Sequence, residues 1–193
     1  MATLPIAAVE ASGSEESGLA DGLAVLVEAA RRGDGEAFAA LHRRFAPVVH
    51  GIVLARAGRG EVEDVVQEVF ASVHASLATL GDARAFPGWI ASIARNASTD
   101  RLRRRAREPK RGPLDDVAAR EAPRGDGVLR ERVLAHIQAL PDAYREPLVL
   151  RLVEGLTGPA IAERTGMTPA SVRVNLHRGM AMLRPLLERE GWR

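Results

Sequence analysis

The chain has 193 residues, enough for two small domains, with 46% hydrophobic residues to fill their cores and a formal net charge of only +2. Aromatic residues make up 4% and cysteine is absent, so packing falls to aliphatic side chains that suit helix-on-helix contact, while disulfides, thiolate zinc sites and cysteine nucleophiles are excluded. With acids and bases nearly balanced, the placement of the bases, all arginine but for Lys110, has to indicate any polyanionic partner.

Residues 1–18 carry few large apolar groups after Val9, include Ser12-Gly13-Ser14-Glu15-Glu16-Ser17-Gly18, and read as a disordered leader. The N-terminus lacks a basic stretch ahead of an apolar run, and no window reaches the apolar length of a membrane span. A cytoplasmic protein without membrane insertion is expected. Leu23, Leu26, Val27 and Ala30 then form one helical stripe, Gly33-Asp34-Gly35 breaks it, and Phe38, Leu41, His42 and Phe45 resume it ahead of Pro47. That pattern predicts a helical pair. The Gly-Asp-Gly turn lacks the remaining ligands of a calcium loop, so no metal or other cofactor is expected.

The most regular helix is predicted from Glu61 to Leu77, where Val62, Val65, Val66, Val69, Phe70, Val73 and Leu77 line one face. Its other face brings Asp64, Gln67 and Glu68 together at offsets 0, 3 and 4. Taken alone, this patch is a solvated acidic face. A catalytic carboxylate pair would need a neighbouring histidine, metal set or nucleophile, and the five histidines are scattered, so no catalytic residues and no enzyme activity are expected.

A turn-rich loop from Leu80 to Gly88, holding Asp82, Arg84 and Phe86, leads to a helix predicted to begin near Trp89. Trp89, Ile90, Ile93, Ala94 and Ala97 face inward, whereas Arg95, Asn96, Asp100, Arg101, Arg103, Arg104 and Arg105 crowd the outside. Between Asp100 and Arg111 seven bases stand against two acids. That excess is more than a helix C-terminus needs to offset its dipole, and it suits phosphate contacts with a base stacked beside them. Residues 107–126, rich in proline and glycine, read as a flexible linker between a domain at 19–106 and another at 127–193.

The second domain opens with Leu129, Val133, Ile137 and Leu140 at helical spacing, and Leu140-Pro141-Asp142 restarts a helix in which Pro147 predicts a kink or a broken first turn. Beyond it come Thr157 and Pro159, then Thr165-Gly166-Met167, then Thr168-Pro169. Two threonine caps, two prolines suited to first turns and a glycine able to turn left-handed spell a helix-turn-helix. In its second helix Val172, Leu176, Gly179 and Leu183 share the inner stripe. Ser171, Arg173, Asn175, His177 and Arg178 are left for phosphates and base edges in a major groove. The fold class expected is all-α, with two small helical domains.

Taken together, the order of motifs resembles the bacterial sigma factors of the extracytoplasmic-function group of the sigma-70 family. The resemblance rests on Gly33-Asp34 with Glu36-Ala37-Phe38, on Glu63-Asp64-Val65-Val66-Gln67-Glu68-Val69-Phe70, on Trp89 to Asn96, on Asp100-Arg101-Leu102-Arg103-Arg104, on Leu140-Pro141, on Glu154-Gly155-Leu156-Thr157 and on Ile161-Ala162-Glu163. It implies that Asp64, Gln67 and Glu68 dock on the clamp coiled coil of core RNA polymerase. It implies that Asp82, Arg84, Phe86, Trp89, Arg95, Asn96, Arg103 and Arg104 engage the −10 region of promoter DNA, and that the second domain reads the −35 element while resting on the polymerase flap. An anti-sigma factor is a further partner it suggests, and a sigma-like decoy that binds such a factor without addressing promoters is the alternative function. The chain departs from the family pattern with Pro159-Ala160, Arg173-Val174-Asn175 and Gly179-Met180, and fewer bases in the second helix mean fewer phosphate contacts.

Overall fold

The computed structural model describes the backbone of residues 13–57, 59–107 and 126–189, and the side chains of residues 22–57, 60–107 and 131–189. Helix α1 (Gly13–Arg31) and helix α2 (Gly35–Ala57) are joined by the tight turn at Gly33, whose φ is 90°. The Asp34 carboxylate accepts hydrogen bonds from the amides of Glu36 and Ala37 at 2.9 and 3.0 Å. The Gly-Asp-Gly sequence is therefore a helix cap. Of the leader expected at residues 1–18, residues 1–12 lie outside the described part, and α1 begins inside the rest of it, at Gly13.

Helix α2 continues through Pro47 to Ala57, although the apolar stripe read from the sequence stops ahead of that proline. A proline inside a helix costs about 3 kcal/mol. Beyond it Val48, Val49, Ile52, Val53, Leu54 and Ala55 are all buried, and at roughly 1.5–3 kcal/mol for each large aliphatic side chain their burial outweighs the proline. Helix α3 (Val62–Ser76) buries Val62, Val65, Val69, Phe70 and Val73, matching the predicted stripe.

A 3-10 turn at Ala83–Ala85 leads into helix α4 (Phe86–Arg107), which starts three residues ahead of Trp89. Asp82 caps the turn by accepting from the Arg84 amide at 2.9 Å, and Pro87 occupies the first turn of α4, where its missing N–H is not needed. This corrects the reading of Phe86 as a loop residue that touches DNA. Its side chain is fully buried, edge-on to Phe45 with ring centroids 5.0 Å apart, and it belongs to the core.

The chain resumes with α5 (Asp126–Gln138), α6 (Asp142–Leu152), α7 (Gly158–Thr165) and α8 (Pro169–Arg189). Residues 108–125 of the expected linker lie outside the described part, and its two ends, Arg107 and Asp126, are helical. Helix α6 is unbroken at Pro147, which is itself buried. Leu129, read as a core position, has no described side chain, while Leu134, Ile137 and Leu140 are buried.

Among the described residues there is no strand, and no helix is long and apolar enough to cross a membrane. Helix α2 packs against α1, α3 and α4 and also against α6. One continuous core consequently joins Phe45, Val48 and Ile52 to Ile137, Leu148, Val149 and Leu183. A smaller cluster of Leu150, Ile161, Ala162 and Val172 holds the helix-turn-helix. Phe86→Ala is expected to lower the unfolding free energy by about 3–5 kcal/mol in urea denaturation, the range for a buried phenylalanine. An unchanged midpoint would return Phe86 to the surface.

Candidate nucleic-acid and protein interfaces

Asp64, Gln67 and Glu68 are all exposed on α3, opposite the buried valines, as helical offsets of three and four require. Glu68 receives the Arg104 guanidinium from α4 at 3.5 Å, and Glu61, just ahead of α3, receives that of Arg101 at 2.8 Å. The acidic patch and the basic end of α4 are therefore neighbours, linked by a part-buried pair at Glu61 and an exposed one at Glu68, the second of which contributes little to stability.

Successive residues of an α-helix are rotated by about 100°, so Trp89, Asn96 and Arg103, at offsets of seven, fall on one stripe of α4. Asn96 and Arg103 are exposed and Trp89 is half-buried, with its ring 6.0 Å from that of Phe86. Asp82 and Arg84 are exposed in the turn just before the helix. Arg95 lies on the flank of this stripe and is bound: its Nε and Nη2 donate to the two carboxylate oxygens of Glu146 on α6 at 3.0 and 2.7 Å. Glu146 is only 5% exposed. The hydrogen bond to Glu146 raises the Arg95 guanidinium above its ordinary pKa; burial works against this and the Glu146 charge adds to it. Arg95, placed with the DNA contacts from sequence, is here an internal partner.

The helix-turn-helix forms as its punctuation predicts. The Thr157 hydroxyl accepts from the Ala160 amide at 3.3 Å, and Gly166 closes α7 with φ 71° and ψ 13°. The Thr168 hydroxyl accepts from the Ser171 amide at 3.1 Å and donates to the Ser171 hydroxyl at 2.8 Å. Val172, Gly179 and Leu183 are buried and Leu176 packs beside them. Opposite this inner stripe the helical rotation puts Val174, His177 and Arg178, all exposed. Arg173 is exposed and Asn175 only partly so; two residues apart, they stand on opposite flanks and do not share a face. Val174 is the outward residue that reasoning by polarity missed. Its 41% exposure at the middle of the polar face was legible from the 3.6-residue period alone.

The two helical groups close on each other. Beyond Arg95 and Glu146, Arg44 on α2 donates to Glu163 on α7 at 2.6 Å, His50 on α2 meets Glu154 at 2.6 Å, and Arg56 stands 3.8 Å from Glu146. Gln138 donates to the Leu54 carbonyl at 2.9 Å. The backbones come close where side chains are missing. A methyl group added at Gly51 would fall 2.6 Å from Leu150 Cδ2, and one added at Gly166 would fall 2.7 Å from the Gly88 Cα.

Residues 41–108 match the family Sigma-70 region 2, and residues 130–183 match Sigma-70, region 4. The chain is 34% identical to RNA polymerase sigma factor CarQ of Myxococcus xanthus over 165 residues, covering 83% of this chain and 95% of that one. It is 28% identical to the ECF RNA polymerase sigma-E factor of Escherichia coli K12 over 183 residues, with coverage of 86% and 96%. This chain belongs to the extracytoplasmic-function group of the sigma-70 family. A solved structure, that of CnrH in complex with the cytosolic domain of CnrY, superposes with a TM-score of 0.60 at 25% identity, covering 86% of this chain and 97% of that one.

One departure of this sigma factor from the family pattern has a packing cause. At Gly179 a methyl group would fall 2.9 Å from Leu148 Cδ1 and 3.1 Å from Tyr144 Cβ, so α8 lies against α6 at a distance where any added side chain would make Leu148 or Tyr144 shift. Gly166 combines two such demands. Gly166→Ala is expected to cost more than the roughly 1–2 kcal/mol of the left-handed conformation, because the added methyl also meets Gly88. Gly155→Ala, with φ 70° and nothing within 4 Å, isolates the conformational part. Equal losses for the two variants in chemical denaturation would mean that the Gly88 contact contributes nothing.

Proposed function

We propose that this sigma factor binds core RNA polymerase and directs it to promoters with −10 and −35 elements, reading both and assisting strand opening. One observation carries the reading. The acidic patch on α3 and the outward face of α8, with no packing duty toward the core, stay exposed within a single chain, the first charged and the second polar around Val174, as surfaces for a protein and for DNA must. Asp64, Gln67 and Glu68 form the polymerase contact, on the clamp coiled coil. The turn at Asp82 and Arg84 together with Trp89, Asn96, Arg103 and Arg104 forms the −10 surface. Holding an unpaired base there offsets the cost of unstacking it. The polymerase performs the chemistry. An anti-sigma partner is supported by the structural relative, whose solved form is a complex with a cytosolic domain.

Run-off transcription with core polymerase tests the whole reading, since a sigma factor must produce specific starts where core alone produces none. Reversing both charges, as Asp64→Lys with Glu68→Lys, is expected to weaken core binding about tenfold or more while circular dichroism stays unchanged, because exposed charges contribute little to folding. Normal core affinity in the reversed variant would make the patch a solvated face. Core binding by the wild-type chain without any specific start would favour the decoy.

At the −35 element the middle of the reading face is apolar. Val174 can contact a thymine methyl group, with His177 and Arg178 beside it at base edges and phosphate and Ser171 and Arg173 toward the rim. Val174→Ala is expected to relax preference at one −35 position by about 1 kcal/mol or less, since only a methyl contact is reduced. Arg178→Ala is expected to weaken all promoters alike and to flatten the salt dependence by about one unit. A randomised −35 selection that returns the same consensus for Val174→Ala would place sequence readout elsewhere on the helix.

A further inference from the structure

Val174 occupies the centre of the outward face of α8. It follows buried Val172 by two residues and precedes buried Gly179 and Leu183 by five and nine, which at about 100° per residue sets it roughly 140–180° round the helix from all three. Ala170, one turn before it, is exposed and apolar too. A lone exposed valine is ordinary on a protein surface. One on the outward line of the second helix of a helix-turn-helix, the element that enters the major groove, has base edges for surroundings.

In that groove a base pair offers an alkyl side chain one feature. Guanine is paired bidentately by Arg or Lys, adenine by Asn or Gln, and the cytosine amino group by Asp or Glu, whereas the thymine C5 methyl group takes an apolar contact. From Pro169 to Leu187 helix α8 contains no acid, so nothing along it selects the cytosine amino group. His177, exposed three residues on from Val174 and on the same face, has ring nitrogens that donate in one tautomer and accept in the other, and can meet either the thymine O4 or the cytosine N4 amino group.

We infer that the −35 readout at Val174 is a readout of the C5 methyl group itself, so that 5-methylcytosine is accepted in place of thymine and cytosine methylation turns a poorly bound −35 element into a bound one. The inference rests on the promoter reading above and adds the chemical class of base that it selects. Carbon 5 of cytosine lies at the same place on the major-groove edge as carbon 5 of thymine, and once methylated the two bases differ there only in the exocyclic neighbour, an amino group or a keto oxygen. The contact is apolar, so its weight follows buried area and not salt, unlike a phosphate contact such as that assigned to Arg178.

Holoenzyme assembled from core polymerase and the full chain tests this on the element returned by the randomised −35 selection. At each position where that element has thymine on either strand, duplexes carrying thymine, uracil, cytosine or 5-methylcytosine there are compared by competition. Uracil keeps O4 and loses the methyl group; 5-methylcytosine keeps the methyl group and loses O4. At one position uracil and cytosine are each expected to bind about fourfold more weakly than thymine, the weight of one buried methyl group, with 5-methylcytosine within about twofold of thymine. The thymine-to-uracil ratio is expected to hold as salt rises while every affinity falls. Val174→Ala, at an exposed position, is expected to bring the four bases within about twofold of one another at that position and to leave the others alone. Uracil equal to thymine at every position overturns the inference, as does a pattern that Val174→Ala does not compress. So does 5-methylcytosine no better than cytosine, which puts the discrimination in the exocyclic group, and so does an element without thymine. In all four cases the promoter reading stands, because the holoenzyme still selects an element; a holoenzyme with no −35 preference sinks that reading and the inference with it.

Discussion

Between Gly51 and Ala55 helix α2 is apolar around its whole circumference, and the rest of the structure depends on excluding water from this stretch. Gly51, Ile52, Val53, Leu54 and Ala55 are consecutive and all buried, which on a helix means burial on every side. Helices α1, α3 and α4 cover three sides, and α6 supplies the fourth. A domain made of the first four helices alone would leave that side wet. The second helical group is therefore part of the solvent protection of the first, and Gly51 sets how closely α6 can approach.

That constraint explains where sequence reading succeeds and where it stops. Helix caps and turns are local: Thr157, Gly166 and Thr168 do in the structure what their residue types allow, and the stripe of α3 follows the period of its valines. The acidic patch was equally visible, because exposure opposite a buried stripe is a matter of helical phase. Pairing across the chain is not local. Glu146 looks like any surface acid in the run Arg145-Glu146-Pro147, and only the approach of α6 to α4 turns it into the partner of Arg95. Phe86 was misplaced for a related reason: the turn residues around it suggest a loop, and its burial comes from Phe45, about forty residues earlier. An all-round apolar stretch such as residues 51–55 does announce burial on every side, and it is the signal that could have shown a second body packing on the first.

The recognition helix shows how packing edits a binding surface. Val172, Gly179 and Leu183 are fixed by the core, and once they face inward the outward residues are no longer free to be chosen by polarity. Asn175 is carried toward a flank and Val174 to the middle. Gly179 belongs to the same geometry, since a side chain there would press on Tyr144 and Leu148 at this spacing of α8 and α6.

The two helical groups are held together by two kinds of contact that respond to different things. The ion pairs of Arg44 with Glu163 and of Arg95 with Glu146 weaken as salt rises, the exposed one more than the nearly buried one, and their carboxylates can be replaced by another anion. The seam of Val149, Leu148 and Ile137 against α2 is insensitive to both and grows with apolar area. A ligand shifts a two-state equilibrium only by the difference in its affinity for the two states. An anion can therefore act on the ionic contacts alone and leaves the free energy of the apolar seam unchanged.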